Sequence, residues 1–212
     1  VSARGIVGTG EGAQFTLVTA HGDTDVRLAF PGRHNVRNAL AAAAMALAVG
    51  ANLTQIRAGL EAAAPVAGRL VMHGLRSGAR LIDDSYNANP GSLAAAIDTL
   101  AAAGDEAWLV LGDMRELGPD AAALHAEAGS RARAAGIDRL YALGALSAHA
   151  AQMFGDGGHC YDSHDALVDA LAKDMHAGLR VLVKGSRGSA MDKIVRALLA
   201  RLDEVEADAL ES

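Results

Sequence analysis

The chain has 212 residues, a formal charge of -6, and 51% apolar, 21% charged and only 3% aromatic residues. That length exceeds a typical domain of ~100 to 150 residues, so one domain plus part of a second is expected, and the alanine-rich, aromatic-poor composition favours an α/β or α fold over a β-sandwich. The acidic balance with scattered basic residues excludes a nucleic-acid footprint, Cys160 as the single cysteine suits a reducing, cytoplasmic setting, and no apolar run reaches the ~20 residues that span a bilayer.

No secretory leader pattern opens the chain, and it begins at Val1, which suggests a start inside a longer protein. AQFTLVTA (13–20) and TDVRLAF (24–30) are rich in β-branched and aromatic residues and flank Gly22 and Asp23, predicting a β-hairpin at a sheet edge. HNVRNALAAAAMALAV (34–49) predicts a helix, with Pro31 and Gly32 before it and Gly50 after it, and a second helix follows at about 54–63. Pro65 and Gly68 then break the pattern and mark a boundary between 1–66 and 67–212.

Beyond the boundary, strands are predicted near 69–75, 79–84, 107–112, 139–143 and 180–184, with a weaker one at 159–161. Helices are predicted near 92–103, 120–135, 146–154, 163–174 and 189–202. WLVLG and RVLVKG are continuous apolar runs, as strands covered on both faces should be. Strand and helix alternate, so 67–212 reads as a doubly wound, Rossmann-like α/β domain with a parallel sheet. The closing EVEADALES reads as a frayed acidic tail.

Several chemical signals lack their context. Gly8, Gly10 and Ala13 fit the dinucleotide fingerprint nominally, but a strand follows where a helix is needed. Lys184, Gly185 and Ser186 have the wrong order for a phosphate loop. His159, Cys160, Asp162 and His164 match no zinc spacing and read as a solvated loop, so no metal site is assigned. His125, on a predicted helix, reads as a hydrogen-bonded structural histidine.

Three constellations carry more information. In GRHNVRN, Asn35 and Asn38 are three apart on one helical face, and an asparagine amide matches an adenine edge; a helix cap plus one exposed polar residue accounts for the same pattern. LIDDSYNANPGS (81–92) leaves a strand end with Asp83 and Asp84 together, where open α/β sheets bind ligands and a carboxylate suits ribose or a metal. Asx turns and a cap explain its Asn and Ser content but leave the doubled Asp unexplained. VLVKGSRGS (181–189) sets Lys184 and Arg187 at a strand end leading into a helix, an anion site for carboxylate or phosphate as readily as a structural turn.

Together GRHNVRNALAAAA, Gly68–Arg69, LIDDSYNANPGSLAAAI, VLGDMRELG, HAEAG, AGIDRLYALG and VLVKGSRGSAM resemble the Mur ligase family in order and spacing, over essentially the whole chain. DDSYNANP and VLGDMRELG single out the member that joins D-alanyl-D-alanine to UDP-N-acetylmuramoyl-tripeptide; folylpolyglutamate synthase is a rival ligase of the superfamily, and a non-catalytic nucleotide or peptide-binding module is a rival class. The resemblance implies that 1–66 ends a central ATP-binding domain and that 67–212 is the carboxy-terminal domain. ATP would phosphorylate the tripeptide carboxylate, and the dipeptide amine would then displace phosphate. On this template Asn35, Asn38, Arg69, Asp84, Tyr86 and Asn87 would serve the nucleotide. Asn87, Asn89, Lys184, Gly185, Ser186 and Arg187 would serve the peptide, and Arg69 and Lys184 the chemistry. The resemblance puts the phosphate loop and the Mg2+ ligands upstream of Val1, so this chain alone, expected as a monomer, would be silent.

Overall fold

The computed structural model describes every residue except 9–11, 31, 65, 105, 203 and 206–212, so Gly10, Pro31, Pro65 and most of the predicted acidic tail lie outside the described residues. The chain divides into two compact units, Val1–Val66 and Ala67–Ser212.

In the first unit, strands β1 (Ser2–Gly8), β2 (Ala13–Thr19) and β3 (Gly22–Leu28) form an antiparallel sheet in that order. The predicted hairpin is present, with Thr19 opposite Gly22. It is not the sheet edge on both sides, because β1 covers β2. SARGIVG did not announce that strand: Gly5 sits at φ 62, the register shifts between Arg4 and Val7, and no period-two pattern results. Helix α1 (Arg33–Ala48) presents Val36, Ala39 and Ala43 to Phe15, Leu17, Val26 and Leu28, with Ile56 of α2 (Leu53–Glu61) completing the core. Alanines on the buried stripe let α1 approach the sheet closely. A reciprocal Asn52 and Gln55 box caps α2.

The second unit is a seven-stranded sheet in the order β10-β4-β5-β9-β6-β7-β8. Its strands are β4 (Val71–Leu75), β5 (Arg80–Asp84), β6 (Glu106–Gly112), β7 (Arg139–Leu143), β8 (Gly158–Tyr161), β9 (Leu179–Lys184) and β10 (Glu204–Val205). The five from β5 to β8 run parallel, whereas β4 and β10 are antiparallel additions at one edge. The expected parallel sheet is present, with antiparallel additions at one edge. Four residues separate β4 from β5, with Gly78 at φ 83 in the turn, and a connection that short can only make a hairpin. The first two described residues of the predicted tail pair with Leu75 and Gly74.

Alternation along β6 sends Leu109 and Leu111 to one face and Trp108 and Val110 to the other. The first face is covered by α3 (Pro90–Ala101), α4 (Ala121–Ala134) and α5 (Ser147–Phe154) through Leu93, Ile97, Ala132 and Phe154. The second is covered by α6 (His164–Asp174) and α7 (Asp192–Leu202) through Leu167, Leu171, Ile194 and Leu198. The chain leaves β5 through α3 on one face and leaves β9 through α7 on the other. Adjacent strands whose connections depart to opposite faces define a switch point, and a crevice opens at their carboxyl ends.

One helix start differs from the sequence reading. A 3-10 turn over Arg187–Ser189 and a left-handed Ala190 (φ 50) come before α7, which begins at Asp192. Lys184 and Arg187 therefore do not sit on that helix terminus, and its dipole does not make them part of an anion site.

Candidate functional site

The site lies where β5 and β9 end side by side. Asp84 and Lys184, 100 residues apart, are register partners in the parallel pair. Lys184 Nζ donates to Asp84 Oδ2 at 2.5 Å and to the Asn87 carbonyl at 3.0 Å. The preceding aspartate, Asp83, is buried and holds a turn instead. It accepts from the Gly68 amide at 3.2 Å, the Ser85 amide at 3.1 Å and Ser85 Oγ at 2.5 Å. Strand alternation separates the two carboxylates, one towards the Gly68 turn and one towards β9.

The loop after β5 is held on both sides. The Tyr86 amide donates to Gly68 O at 3.0 Å, and a Cβ on Gly68, which has φ 75, would come within 3.0 Å of Tyr86 N. Gly68 is thus required for both its conformation and the close approach. Between Gly68 and Leu70, itself at φ 54, Arg69 projects with its Cζ 4.5 Å from the centre of the Tyr86 ring. Arg187 Cζ lies 5.9 Å from the same ring. Tyr86, exposed, therefore carries two guanidinium groups that the sequence separates widely, and each contact is of cation–π type. Neither Arg69 nor Arg187 has a carboxylate partner among the described residues. A cluster of this kind attracts phosphate or carboxylate.

The remaining expected residues divide. Asn89 is the N-cap of α3: its side chain accepts from Ser92 N at 2.8 Å, with Ser92 Oγ reciprocating at 3.1 Å and Pro90 at the first helical position. Asn87 is exposed, and its Oδ1 accepts from Ala88 N at 2.9 Å. Ser186 is buried: Oγ donates to Ala88 O at 3.2 Å and accepts from Arg115 N at 2.8 Å. Gly185 is where two strand ends meet, since a Cβ there would stand 2.6 Å from Met191 Cγ and 3.1 Å from Gly112 Cα. In the first unit, Asn38 Nδ2 faces Asn35 Oδ1 at 3.4 Å, so both do share a helical face. Gly32, not an asparagine, is the N-cap of α1.

The signals set aside also have addresses. Gly8 closes β1 and Ala13 opens β2, so no strand-to-helix turn surrounds the nominal fingerprint. His159 and Cys160 are exposed on β8, and among the described residues no group of three His, Cys, Asp or Glu could hold a metal. His125 is buried, its Nε2 accepting from Met114 N at 2.8 Å, so Nδ1 carries the proton and donates to Ala121 O at 2.7 Å. That is a structural histidine, bonded through both ring nitrogens.

Sequence reasoning left Asp113 and Arg115 without roles. Asp113 Oδ1 accepts from the amides of Leu146 and Ser147 at 3.1 and 2.8 Å, and its carbonyl accepts from Ser186 N and Ser189 Oγ. It ties β6 to the amino end of α5 and to the loop after β9. The Arg115 side chain lies against Gly188, where a Cβ would stand 2.7 Å from Nε. A place at the carboxyl end of a parallel strand was the available signal for both.

A family model described as "Mur ligase, glutamate ligase domain" matches residues 68–187. The chain is 46% identical over 192 residues to the UDP-N-acetylmuramoyl-tripeptide--D-alanyl-D-alanine ligase of Escherichia coli (strain K12), covering 90% of this chain and 42% of that protein. It is 38% identical over 202 residues to the ligase of the same name from Haemophilus influenzae, covering 93% and 44%. A crystal structure of MurF from Acinetobacter baumannii superposes with a TM-score of 0.84 at 32% identity, over 93% of this chain and 44% of that one. The chain thus spans less than half the length of the curated relatives it matches. With more than half of its residues matched by the family model, on a doubly wound domain, the chain belongs to the Mur ligase family.

Proposed function

We propose that this chain is the carboxy-terminal part of an ATP-dependent ligase that joins D-alanyl-D-alanine to UDP-N-acetylmuramoyl-tripeptide in peptidoglycan precursor synthesis. The observation that carries this reading is the Asp84–Lys184 register pair at the switch point, with Arg69 and Arg187 both within cation–π distance of Tyr86 in the loop that follows β5. The names of the two bacterial relatives supply the reaction. Residues 1–66 are read as the end of the central ATP-binding domain and 67–212 as the carboxy-terminal domain.

The chain's residues suit the nucleotide in kind. Asp84 offers a carboxylate for ribose hydroxyls, Arg69 a guanidinium for phosphate, and Asn35 with Asn38 an amide pair for the adenine edge. Arg187 and Asn87 are assigned to the anionic peptide partners. ATP, when bound, supplies the phosphoryl group that activates the tripeptide carboxylate, and orienting the two anionic substrates is the work of these side chains. Among the described residues no group of three His, Cys, Asp or Glu could hold a metal; the Mg2+ ligands are assigned upstream of this chain, and no step is routed through the ion. No helix among the described residues is long and apolar enough to cross a membrane.

Phosphate release tests the reading. A full-length ligase containing this chain should release phosphate only when ATP, UDP-N-acetylmuramoyl-tripeptide and D-alanyl-D-alanine are all present. The 212-residue chain alone should release none. Turnover with a folate and glutamate, and none with the dipeptide, would overturn the assignment.

A further inference from the structure

We infer that Lys184 is a positioning residue, which holds Asp84 and the loop behind it, and that it makes no contact with the peptide substrate. The inference rests on the assignment of Asp84 to the ribose. Both charged groups are withdrawn from water, with side-chain exposures of 3% for Lys184 and 13% for Asp84. An ammonium has three N–H donors, and two of these are committed, to Asp84 Oδ2 and to the Asn87 carbonyl. Swinging out to a ligand would give up both of these bonds and draw a buried ammonium away from the carboxylate it pairs with, which is a costly way to add a contact.

The neighbouring bond points to the same role. Ser186 Oγ donates to the Ala88 carbonyl, so two successive carbonyls of the β5–α3 loop, Asn87 and Ala88, are held from the end of β9. The loop carries Tyr86, and on the ring of Tyr86 rest Arg69 and Arg187. Lys184 thereby fixes the direction of the carboxylate and the seat of the exposed arginines. The cation this segment offers to a ligand is Arg187, which is exposed.

The test uses a full-length ligase containing this chain, as wild type, Lys184→Met, Asp84→Asn and the double variant. ATP is compared with 2′,3′-dideoxy-ATP, which lacks both ribose hydroxyls, and the KM for D-alanyl-D-alanine is measured in parallel. Lys184→Met should raise the ATP KM roughly 10- to 100-fold, erase most of the preference for ATP over the dideoxy analogue, and leave the dipeptide KM within about 2-fold. The double variant should be no worse for ATP than Asp84→Asn alone, because the two residues act through one another. A raised dipeptide KM with the nucleotide preference intact, or additive effects in the double variant, would overturn the proposal. Thermal midpoints establish that each variant is folded. Should Lys184→Met not fold, Lys184→Gln, which keeps a donor for Asn87 O, is read by the same criteria. A wild type indifferent to the missing hydroxyls would remove the ribose assignment of Asp84, while the double-variant cycle would still decide whether Lys184 works through it.

Discussion

Replacing Asp83 with alanine should cost stability in proportion to the bonds it anchors. Its carboxylate accepts from two backbone amides, Gly68 at 3.2 Å and Ser85 at 3.1 Å, and from Ser85 Oγ at 2.5 Å. The hydroxyl can rotate to another acceptor, but the amides cannot turn. An unsatisfied buried polar group costs about 1 to 3 kcal/mol, and the space vacated by the carboxylate can admit water, so the lower half of that range applies to each amide and the total is about 2 to 4 kcal/mol. This exceeds the ~1 kcal/mol of one lost cap or turn bond, which is all the sequence alone would suggest. For a unit of this size 1 kcal/mol moves the midpoint by about 2 to 4 °C, so the shift should be roughly 4 to 16 °C. Calorimetry of the Ala67–Ser212 transition in wild type and Asp83→Ala reads it directly. Asp84→Ala is the comparison: it should raise the ATP KM roughly 10- to 150-fold, and it also leaves the buried Lys184 ammonium without its paired carboxylate, so some loss of midpoint accompanies it. A midpoint for Asp83→Ala within about 2 °C of wild type, or an ATP KM that rises more for Asp83→Ala than for Asp84→Ala, would refute the division of labour.

Asn38→Ala in a full-length ligase should weaken ATP binding by about 1 to 3 kcal/mol with the dipeptide KM nearly unchanged; an unaltered ATP affinity would return Asn38 to the helix surface. Gly129→Ala should destabilise by about 1 to 3 kcal/mol, since the new Cβ would stand 2.0 Å from Ala150 O where α4 meets α5; a wild-type midpoint would mean the helices part freely. Burial pushes the Tyr141 hydroxyl above its ordinary range, against a smaller lowering by Arg139. The unfolded chain therefore loses this proton first, so the stability it brings is complete below pH about 10 and is lost as pH rises through the raised value. Tyr141→Phe should flatten the decline of stability above that pH, and superimposable pH profiles would contradict it.

The element types were legible because they are local. WLVLG could only be a strand covered twice, and it is β6, with Trp108 on one face and Leu109 on the other. The alanine-rich run from Asn35 could only be helical. The strand-end motifs were legible as well, since a doubled Asp and a Lys-Gly-Ser-Arg run at the ends of apolar segments both fall at the switch point. β1 was not legible, because two glycines and a register break erase its alternation.

What the sequence by itself determined, then, is which segments are strands and helices and which strand ends bear charge, for these follow from periodicity and propensity over a few residues. Tertiary structure alone decided strand order. Bringing β9 between β5 and β6 sets Lys184 opposite Asp84, a pairing across 100 residues that neither strand announces. It also decided that Arg69 and Arg187 meet at the ring of Tyr86, and that Asp83 serves a turn while Asp84 faces β9. These outcomes depend on which distant segments pair and in what register, and that is settled by burying the two apolar faces of the whole sheet at once, a sum over contacts that no single stretch of sequence contains.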